Sequence, residues 1–240
     1  MSNQPVTLQE NTKLLTVQEL GCIRGGRPVI ENISFRLQQG KALVVTGPNG
    51  IGKSSLLRTL AGLVKAHSGS MLLEGGEDDL TVGQQSHYFG HADAIKPALT
   101  CKENLKFWQT YYGHPARSPY QAMIEVGIED LIDLPAAYLS AGQRRRLSLA
   151  RLLVSYRPLW LLDEPTSALD KASEHQLEVL MAEHLSEGGL IIAATHAPLG
   201  LLDPLRLHLD HKQTGEQDMD DLEMDDFGEG RPAQSAKAAR

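Results

Sequence analysis

A glycine-rich loop at residues 47–54 has the residue types and spacing that bind nucleotide phosphates. Its sequence, GPNGIGKS, fits G-x-x-x-x-G-K-[ST], and it stands between an apolar run at residues 43–45 and leucines at helical spacing. Glycines let consecutive backbone N–H groups turn onto phosphate oxygens, and the helix N-terminus adds partial positive charge. The Lys53 side chain is expected to reach the β- and γ-phosphates, and the Ser54 hydroxyl to ligate Mg²⁺. The candidate ATP-binding residues here are Gly47, Pro48, Asn49, Gly50, Ile51, Gly52, Lys53, Ser54 and Ser55.

Two carboxylates form the second candidate group. Asp163 and Glu164 directly follow the apolar run at residues 159–162. A carboxylate at the carboxyl end of a buried strand can lie beside Mg²⁺, directly or through water, and Asp163 fits this position. Glu164 is then expected to face the γ-phosphate and to orient or deprotonate the attacking water. Such a run is weak evidence alone, but it becomes strong evidence downstream of a phosphate loop.

The elements that must position these groups follow an alternating pattern. Apolar runs at residues 43–45, 159–162 and 190–195 predict buried strands, and a helix is predicted over residues 171–185. This alternation predicts an α/β fold with a parallel sheet and helices on both of its faces. Together with the phosphate loop, this arrangement resembles the RecA-like sheet of the P-loop NTPases.

Two smaller units are predicted beside that sheet. Residues 14–37 predict short strands interrupted at Gly25-Gly26 and at Asn32, and residues 70–74 predict another strand, so we expect a small antiparallel sheet over the nucleotide. Residues 92–138 predict a helical subdomain. Its first helix begins with a capping box at residues 100–103, and a second begins at Ser118-Pro119.

Composition bounds the remaining possibilities. The chain has 240 residues, 41% of them hydrophobic and 22% charged, as in an ordinary globular protein. Its two cysteines form no disulfide framework, which favours a reducing compartment. No signal peptide and no run long enough to span a bilayer is evident. The net charge of −7 argues against a general nucleic-acid binder.

The predicted domain boundaries follow from changes in composition. Residues 1–12 predict a flexible lead-in, residues 13–210 the nucleotide-binding domain, and residues 211–240 an acidic, disordered tail.

The order of the motifs resembles one family, the ATP-binding-cassette (ABC) ATPases. After the phosphate loop come a helical insertion, the segment LSAGQ at residues 139–143, the carboxylate run, the segment SALD at residues 167–170, and His196. These match the signature, Walker B, D-loop and switch histidine of that family, except that Ala141 replaces a glycine. The resemblance covers roughly residues 14–200, and the motifs in combination are highly specific.

The resemblance implies roles for further residues. Two copies of the chain would pack head to tail around two ATP molecules. Ser140, the Gly142 backbone and Gln143 of one copy would complete the γ-phosphate site of the other, at a helix N-terminus that begins just after the signature. His196 would hydrogen-bond the γ-phosphate and hold the water beside Glu164.

Three further positions take their roles from the same comparison. Asp170 belongs to the D-loop and is counted among the nucleotide-site residues. His91 stands where the family has its Q-loop glutamine. Arg24 replaces the aromatic residue that usually stacks on adenine, and a guanidinium can also stack on a base.

Longer stretches narrow the resemblance to the ATPase subunits of the cytochrome c maturation system. They are YFGHADAIKPALTCKENLKFW, LSAGQRRRLSLARLL and RPLWLLDEPTSALDK. This resemblance implies a peripheral protein at the cytoplasmic face of the bacterial inner membrane. Its partners would be multispanning subunits that are CcmB-like, with CcmC-like and CcmD-like proteins, and indirectly a periplasmic haem chaperone. No nucleic acid is expected.

Three functions stay open on the sequence. ATP hydrolysis could drive haem export or release of the loaded haem chaperone, or it could drive a generic lipid or drug exporter, because the nucleotide motifs do not separate these. A soluble ABC regulator acting on nucleic acid or ribosomes is disfavoured by the single cassette and the negative charge.

His87 and His91 lie four positions apart, which raises the alternative of a metal or haem site. Because they fall on a predicted strand and a loop rather than on a helix, this spacing does not place them on one face, and no C-x-x-C-H motif occurs. We therefore interpret His87 as a strand residue and His91 as a residue of the nucleotide loop.

Overall fold

A five-stranded parallel sheet forms the centre of the computed structural model, which describes residues 12–210. The strands are β1 (Leu14–Arg24), β2 (Arg27–Gln38), β3 (Ala42–Thr46), β4 (Ser68–Glu74), β5 (Ser86–Phe89), β6 (Leu159–Asp163), β7 (Leu190–Ala194) and β8 (Leu205–His208). The helices are α1 (Lys53–Leu60), α2 (Cys101–Tyr112), α3 (Pro119–Glu125), α4 (Ala141–Leu153) and α5 (Lys171–Ser186), with short 3₁₀ turns at Glu129–Leu131 and Ala136–Tyr138. The central sheet has the order β5-β6-β7-β3-β8, with all its neighbouring strands parallel.

The two faces of this sheet bury alternate residues of the same strands. In β6, Leu159 and Leu161 pack with α1 and the antiparallel sheet, whereas Trp160 and Leu162 pack with α2–α5 on the opposite face. This period of two follows from the alternation of side chains along a strand. The prediction of helices on both faces is therefore confirmed.

The antiparallel sheet has the order β2-β1-β4. The turn predicted at Gly25-Gly26 is present, and both glycines have positive φ. The interruption predicted at Asn32 is wrong, because β2 runs through it. Asn32 instead has a φ of 58°, and the pairing with β1 shifts register nearby, as in a β-bulge.

The helical insertion forms as the capping signals predict. Thr100 and Glu103 make a reciprocal capping box at α2, and Ser118 and Gln121 make the same box at α3, which has a proline in its first turn. Asn104 of α2 is buried and bonds the backbone of Lys96 in both directions. This bond ties the loop after β5 to the helix.

Some sequence predictions concern residues outside the described range, and one observed strand was not predicted. The acidic tail at residues 211–240 and all but Thr12 of the lead-in lie outside the described residues. Strand β8 was not predicted, because its four residues are mostly exposed and form no continuous apolar run. It pairs with β3 at the edge of the sheet, and it leads to the buried Leu209 behind the phosphate loop.

Candidate nucleotide-binding site

The phosphate loop joins β3 to α1, and two of its glycines are required by close backbone contacts. Gly47 has a φ of 138°, and a Cβ there would lie 2.5 Å from the Leu209 carbonyl oxygen. Gly52 has a φ of 110°, and a Cβ there would lie 2.9 Å from the Val29 carbonyl oxygen. The first helical bond runs from the Leu56 N–H to the Gly52 carbonyl at 2.9 Å. The N–H groups at the start of α1 therefore remain available to an anion.

Lys53 is buried and points back into this loop. Its Nζ donates to the carbonyls of Gly47 at 2.7 Å and Pro48 at 3.0 Å, and it lies 2.9 Å from Nε2 of His196. The same Nε2 lies 3.0 Å from the Asn49 Oδ1. An ammonium only donates and an amide oxygen only accepts, so Nε2 accepts from Lys53 in one tautomer and donates to Asn49 in the other. Hydrogen bonds therefore connect the phosphate loop to His196, the predicted switch histidine.

Asp163 lies at the carboxyl end of β6 and is held from two sides. Its Oδ1 accepts from the Ser54 hydroxyl at 2.9 Å, and its Oδ2 accepts from the Tyr88 hydroxyl at 3.0 Å. Arg58 Nε donates in turn to the Tyr88 oxygen at 3.2 Å. Burial raises the pKa of Tyr88, so its phenol remains a donor at neutral pH.

The Ser54 and Asp163 pair fits a magnesium ion by the chemistry of its donors. Both offer hard oxygen ligands, and Mg²⁺ is usually held by one or two such groups together with substrate phosphates and water. Across residues 12–210 there is no group of three or more histidine, cysteine or acidic side chains that could hold a metal alone. The site therefore fits a cation that arrives with a nucleotide.

Glu164 occupies a strained position next to Asp163. Its φ of 47° is uncommon for a residue other than glycine, and such strain is frequent at functional sites. The Thr195 hydroxyl donates to Glu164 Oε2 at 3.3 Å, and the Glu164 N–H donates to the Ala194 carbonyl at 2.8 Å. A guanidinium N–H of Arg145 reaches the Glu164 carbonyl at 3.2 Å. The carboxylate is thus fixed between the ends of β6 and β7, half-buried and accessible to a water.

The signature segment forms the start of α4. Ser140 is the N-cap, and it makes a capping box with Gln143, with bonds of 3.2 and 2.8 Å. The helix therefore begins at Ala141, inside the signature and not after it as predicted. Gly142 lies in the first turn, where N–H groups have no intrahelical partner. Ser140 is exposed, so this helix end is accessible to a ligand from outside the chain.

Asp170 acts within the chain as the N-cap of α5. Its Oδ1 accepts the Ser173 N–H at 2.9 Å, and this bond lowers the pKa of Asp170. Its Oδ2 accepts from Arg146 of α4 at 2.5 Å. The D-loop and the signature helix are thereby connected within one chain.

His91 and Arg24 lie apart from this hydrogen-bonded cluster. His91 is exposed in the loop after β5, and Arg24 is exposed at the end of β1, beside the turn into β2. Val29 of β2 contacts the position of Gly52, so this hairpin adjoins the phosphate loop. The predicted roles of both residues toward a nucleotide stay predictions.

His87 is a fully buried strand residue, as interpreted from the sequence. Its Nε2 donates to the Ser155 carbonyl at 2.8 Å, and its ring packs edge-on against Tyr112. Burial lowers its pKa to about 3, aided by the nearby Arg151 and Arg157. A neutral, enclosed imidazole of this kind is a core residue rather than half of a metal site.

The sequence reasoning missed Tyr88, Arg58 and Arg145. Arg145 is buried, donates to the Gly90 carbonyl at 2.7 Å and lies 3.8 Å from the centre of the Phe89 ring. The sequence signal for these residues is polarity in elements next to the motifs, at positions that are buried for Arg145 and half-buried for Tyr88 and Arg58. Tyr88 alternates with the buried His87 and Phe89 in β5, which places it on the opposite face of that strand.

The geometry defines a phosphate-loop ATPase. Lysine, hydroxyl, two carboxylates and histidine meet at one edge of a parallel sheet, where the loops after β3, β6 and β7 converge. Residues 30–167 match the family model described as ABC transporter. The chain therefore belongs to the ABC transporter family, as the resemblance of its motifs predicted.

Particular relatives narrow this assignment. The chain is 54% identical over 182 residues to the Cytochrome c biogenesis ATP-binding export protein CcmA of Nitrobacter winogradskyi, an alignment covering 76% of this chain and 91% of that protein. It is 52% identical over 187 residues to the protein of the same description from Rhodopseudomonas palustris, covering 78% and 94%. A solved ABC transporter ATP-binding protein from Pyrococcus furiosus superposes with a TM-score of 0.70 at 25% identity, covering 84% of this chain and 99% of that one. The predicted fold class and family resemblance are confirmed.

Proposed function

We propose that this chain is the ATP-hydrolysing, energy-coupling subunit of an ABC transporter complex for cytochrome c biogenesis. The observation that carries the ATPase part is that three hydrogen-bonded pairs lie at one sheet edge: Lys53 with His196, Ser54 with Asp163, and Thr195 with Glu164. The biogenesis part rests on relatives of 52–54% identity that are described as cytochrome c biogenesis ATP-binding export proteins.

The proposed chemistry divides among the residues by charge and position. Lys53 would leave the loop carbonyls and bind the β- and γ-phosphates, because an ammonium group bonds a charged phosphate more strongly than a neutral carbonyl. Ser54 and Asp163 would hold Mg²⁺, which when bound neutralises phosphate charge. Glu164 would orient and deprotonate the attacking water. Its bond from Thr195 keeps one carboxylate oxygen fixed while the other stays free. His196, beside Lys53, would bond the γ-phosphate.

Each site would be completed by a second copy of the chain. Ser140 and Ala141 are exposed, Gly142 and Gln143 are half-buried, and the capping bonds lie within the signature segment itself. A homodimer in the head-to-tail arrangement would bring this helix end to the partner's phosphate loop, where its dipole favours negative charge.

A membrane subunit would dock in the groove beside the His91 loop. Among residues 12–210, no helix has both the length and the apolar character needed to cross a bilayer. The groove has a volume of about 330 Å³ and lies between the end of α1, the loop after β5 and the aromatic face of α2. Leu63 and Tyr111 on its rim are 63% and 70% exposed. A cytoplasmic segment of a multispanning, CcmB-like subunit with an apolar contact face would cover them. We propose on this basis that the chain lies at the cytoplasmic face of the inner membrane.

The experiment that tests the whole proposal is complementation of a strain lacking the gene. We expect the deletion to remove covalent haem from c-type cytochromes while other haem proteins stay normal, and the wild-type gene to restore it. The Glu164→Gln variant should bind ATP, lose roughly 10²–10⁴-fold in turnover and fail to restore haem attachment. Glu187→Gln, the same change at an exposed position after α5, is the control and should restore it.

Two outcomes separate the parts of the proposal. Normal c-type cytochromes in the deletion strain would refute the biogenesis role and leave an ATPase for another substrate, such as a lipid or drug. Near-normal turnover of Glu164→Gln in the assembled complex would refute the role of Glu164.

A further inference from the structure

The Asp163 carboxylate is held by a short chain of hydrogen bonds that leads away from the nucleotide. Arg58 Nε donates to the Tyr88 oxygen, and Tyr88 donates to Asp163 Oδ2. The phenol oxygen accepts from Arg58, which can only donate. The single phenol proton is therefore free to point to the carboxylate. Asp163 Oδ1, on the other side, accepts only the Ser54 hydroxyl among the bonds described. The two carboxylate oxygens therefore have separate partners, one of them at the proposed metal site and one behind it.

Packing holds the Tyr88 ring in place. Tyr88 pairs with Leu161 in the β5–β6 register, two positions before Asp163. A Cβ at Gly90 would lie 2.5 Å from Tyr88 Cε1, so the ring crosses directly over a residue that must lack a side chain. The hydroxyl is consequently presented to Asp163 by the strand geometry and not by a flexible side chain.

We propose that Tyr88 is a positioning residue for the magnesium ligand Asp163, orienting the carboxylate so that Oδ1 faces Ser54. This inference rests on the proposed function, because it assumes that Ser54 and Asp163 hold Mg²⁺ with ATP. Partners that orient a metal-ligating carboxylate typically contribute 10–100-fold to metal affinity or activity. Without the hydroxyl, the carboxylate can rotate about its Cβ–Cγ bond, and binding the metal must then also restrict that rotation.

The test measures Mg²⁺ dependence of nucleotide binding in the full chain, without hydrolysis. A fluorescent, non-hydrolysable ATP analogue is titrated in EDTA and at increasing Mg²⁺ concentrations. Tyr88→Phe keeps the ring over Gly90 and removes only the hydroxyl. We expect it to raise the Mg²⁺ concentration at half-maximal enhancement by roughly tenfold, with affinity in EDTA within about twofold of wild type. Tyr120→Phe, the same change on an exposed ring of α3, is the matched control and should leave both values unchanged.

A second variant acts on the same chain of bonds at a distance. Arg58→Met removes the donor to Tyr88 and frees the phenol to rotate, so the Mg²⁺ requirement should rise in the same direction but by less. A Mg²⁺ requirement that stays at the wild-type value in both variants would overturn the proposal. So would an equal loss of affinity with and without Mg²⁺, which indicates a purely structural role. Wild-type protein whose ATP binding ignores Mg²⁺ would instead refute the proposed nucleotide site itself.

Discussion

Buried His87 should lower the free energy of unfolding in acid, and the size of this decrease follows from the effect of burial on its pKa. The imidazole is fully buried, and its pKa falls from 6.5 to about 3. Below pH 6.5 the unfolded chain takes up a proton at residue 87, whereas the folded chain does not until about pH 3. The free energy of unfolding therefore decreases as the pH falls through this window, by about 1.4 kcal/mol per pH unit from this group. Above pH 6.5 the histidine contributes no pH dependence.

The His87→Gln variant isolates this contribution. Gln can still offer an N–H toward the Ser155 carbonyl, but it loses the ring contact with Tyr112, at 4.7 Å between centroids, and does not titrate. We expect it to be about 2 kcal/mol less stable than wild type at pH 7.5, a typical cost for a core change. The difference should shrink by about 1.4 kcal/mol per pH unit below 6.5, so that the two stability curves cross near pH 5.

Urea unfolding followed by circular dichroism at pH 7.5, 6.5, 5.5 and 5.0 measures both curves. His184, whose pKa burial lowers to about 4, gives wild type and variant the same background slope. His67→Gln, at an exposed position, is the control and should run parallel to wild type. Parallel curves for His87→Gln as well would refute the reasoning, because they would show that residue 87 is hydrated or protonated in the folded protein.

Two further predictions concern assembly and the chain terminus. In mixed dimers, a Lys53→Ala chain combined with a Ser140→Arg chain should keep one intact site and about half of the wild-type turnover, whereas Ser140→Arg alone should be inactive. Ser118→Arg, which removes an equivalent capping box at α3, is the control. It should cost ~1 kcal/mol of stability, as Ser140→Arg does, and leave turnover unchanged. Full activity of Ser140→Arg alone would contradict composite sites. Truncation after Asp210 should leave ATPase activity within about twofold, since the composition of residues 211–240 cannot support a packed core. A collapse in turnover would show that the removed residues contact the domain.

The motif residues could be predicted because each depends on local sequence. The phosphate loop needs glycines where backbones approach closely, and the carboxylates need the end of a buried strand. Parallel topology then brings the carboxyl ends of β3, β6 and β7 together at one edge of the sheet. The proximity of Lys53, Asp163 and His196 can therefore be predicted from the topology alone. The capping boxes at Thr100 and Ser118 are equally local and appear as predicted.

The missed residues depend on contacts that no local pattern records. Tyr88 bonds partners 30 and 75 positions away in the chain, and whether its hydroxyl reaches Asp163 depends on the β5–β6 register. Arg145 follows the signature in a run of three arginines. Its packing against Phe89 and its bonds to the Gly90 and Glu164 carbonyls distinguish it from its half-buried neighbours. Strand β8 is defined by its pairing with β3, which no local sequence pattern predicts.

Tyr88 and Arg145 also connect Asp163 and Glu164 to β5 and to the loop that carries His91. Tyr88 lies in β5, and Gly90 is the first residue of this loop. Tyr88 bonds the Asp163 side chain, while Arg145 bonds the carbonyls of both Gly90 and Glu164. The Tyr88 ring and the Ala92 and Ala94 positions line the groove proposed for the membrane subunit. Because hydrogen-bonded guanidinium and phenol groups lose stability when their partners move away, we expect a displacement of this loop to change the Asp163 side chain, the Glu164 backbone or both. We expect a partner that occupies the proposed groove to act on the Asp163 side chain through Tyr88 and on the Glu164 backbone through Arg145.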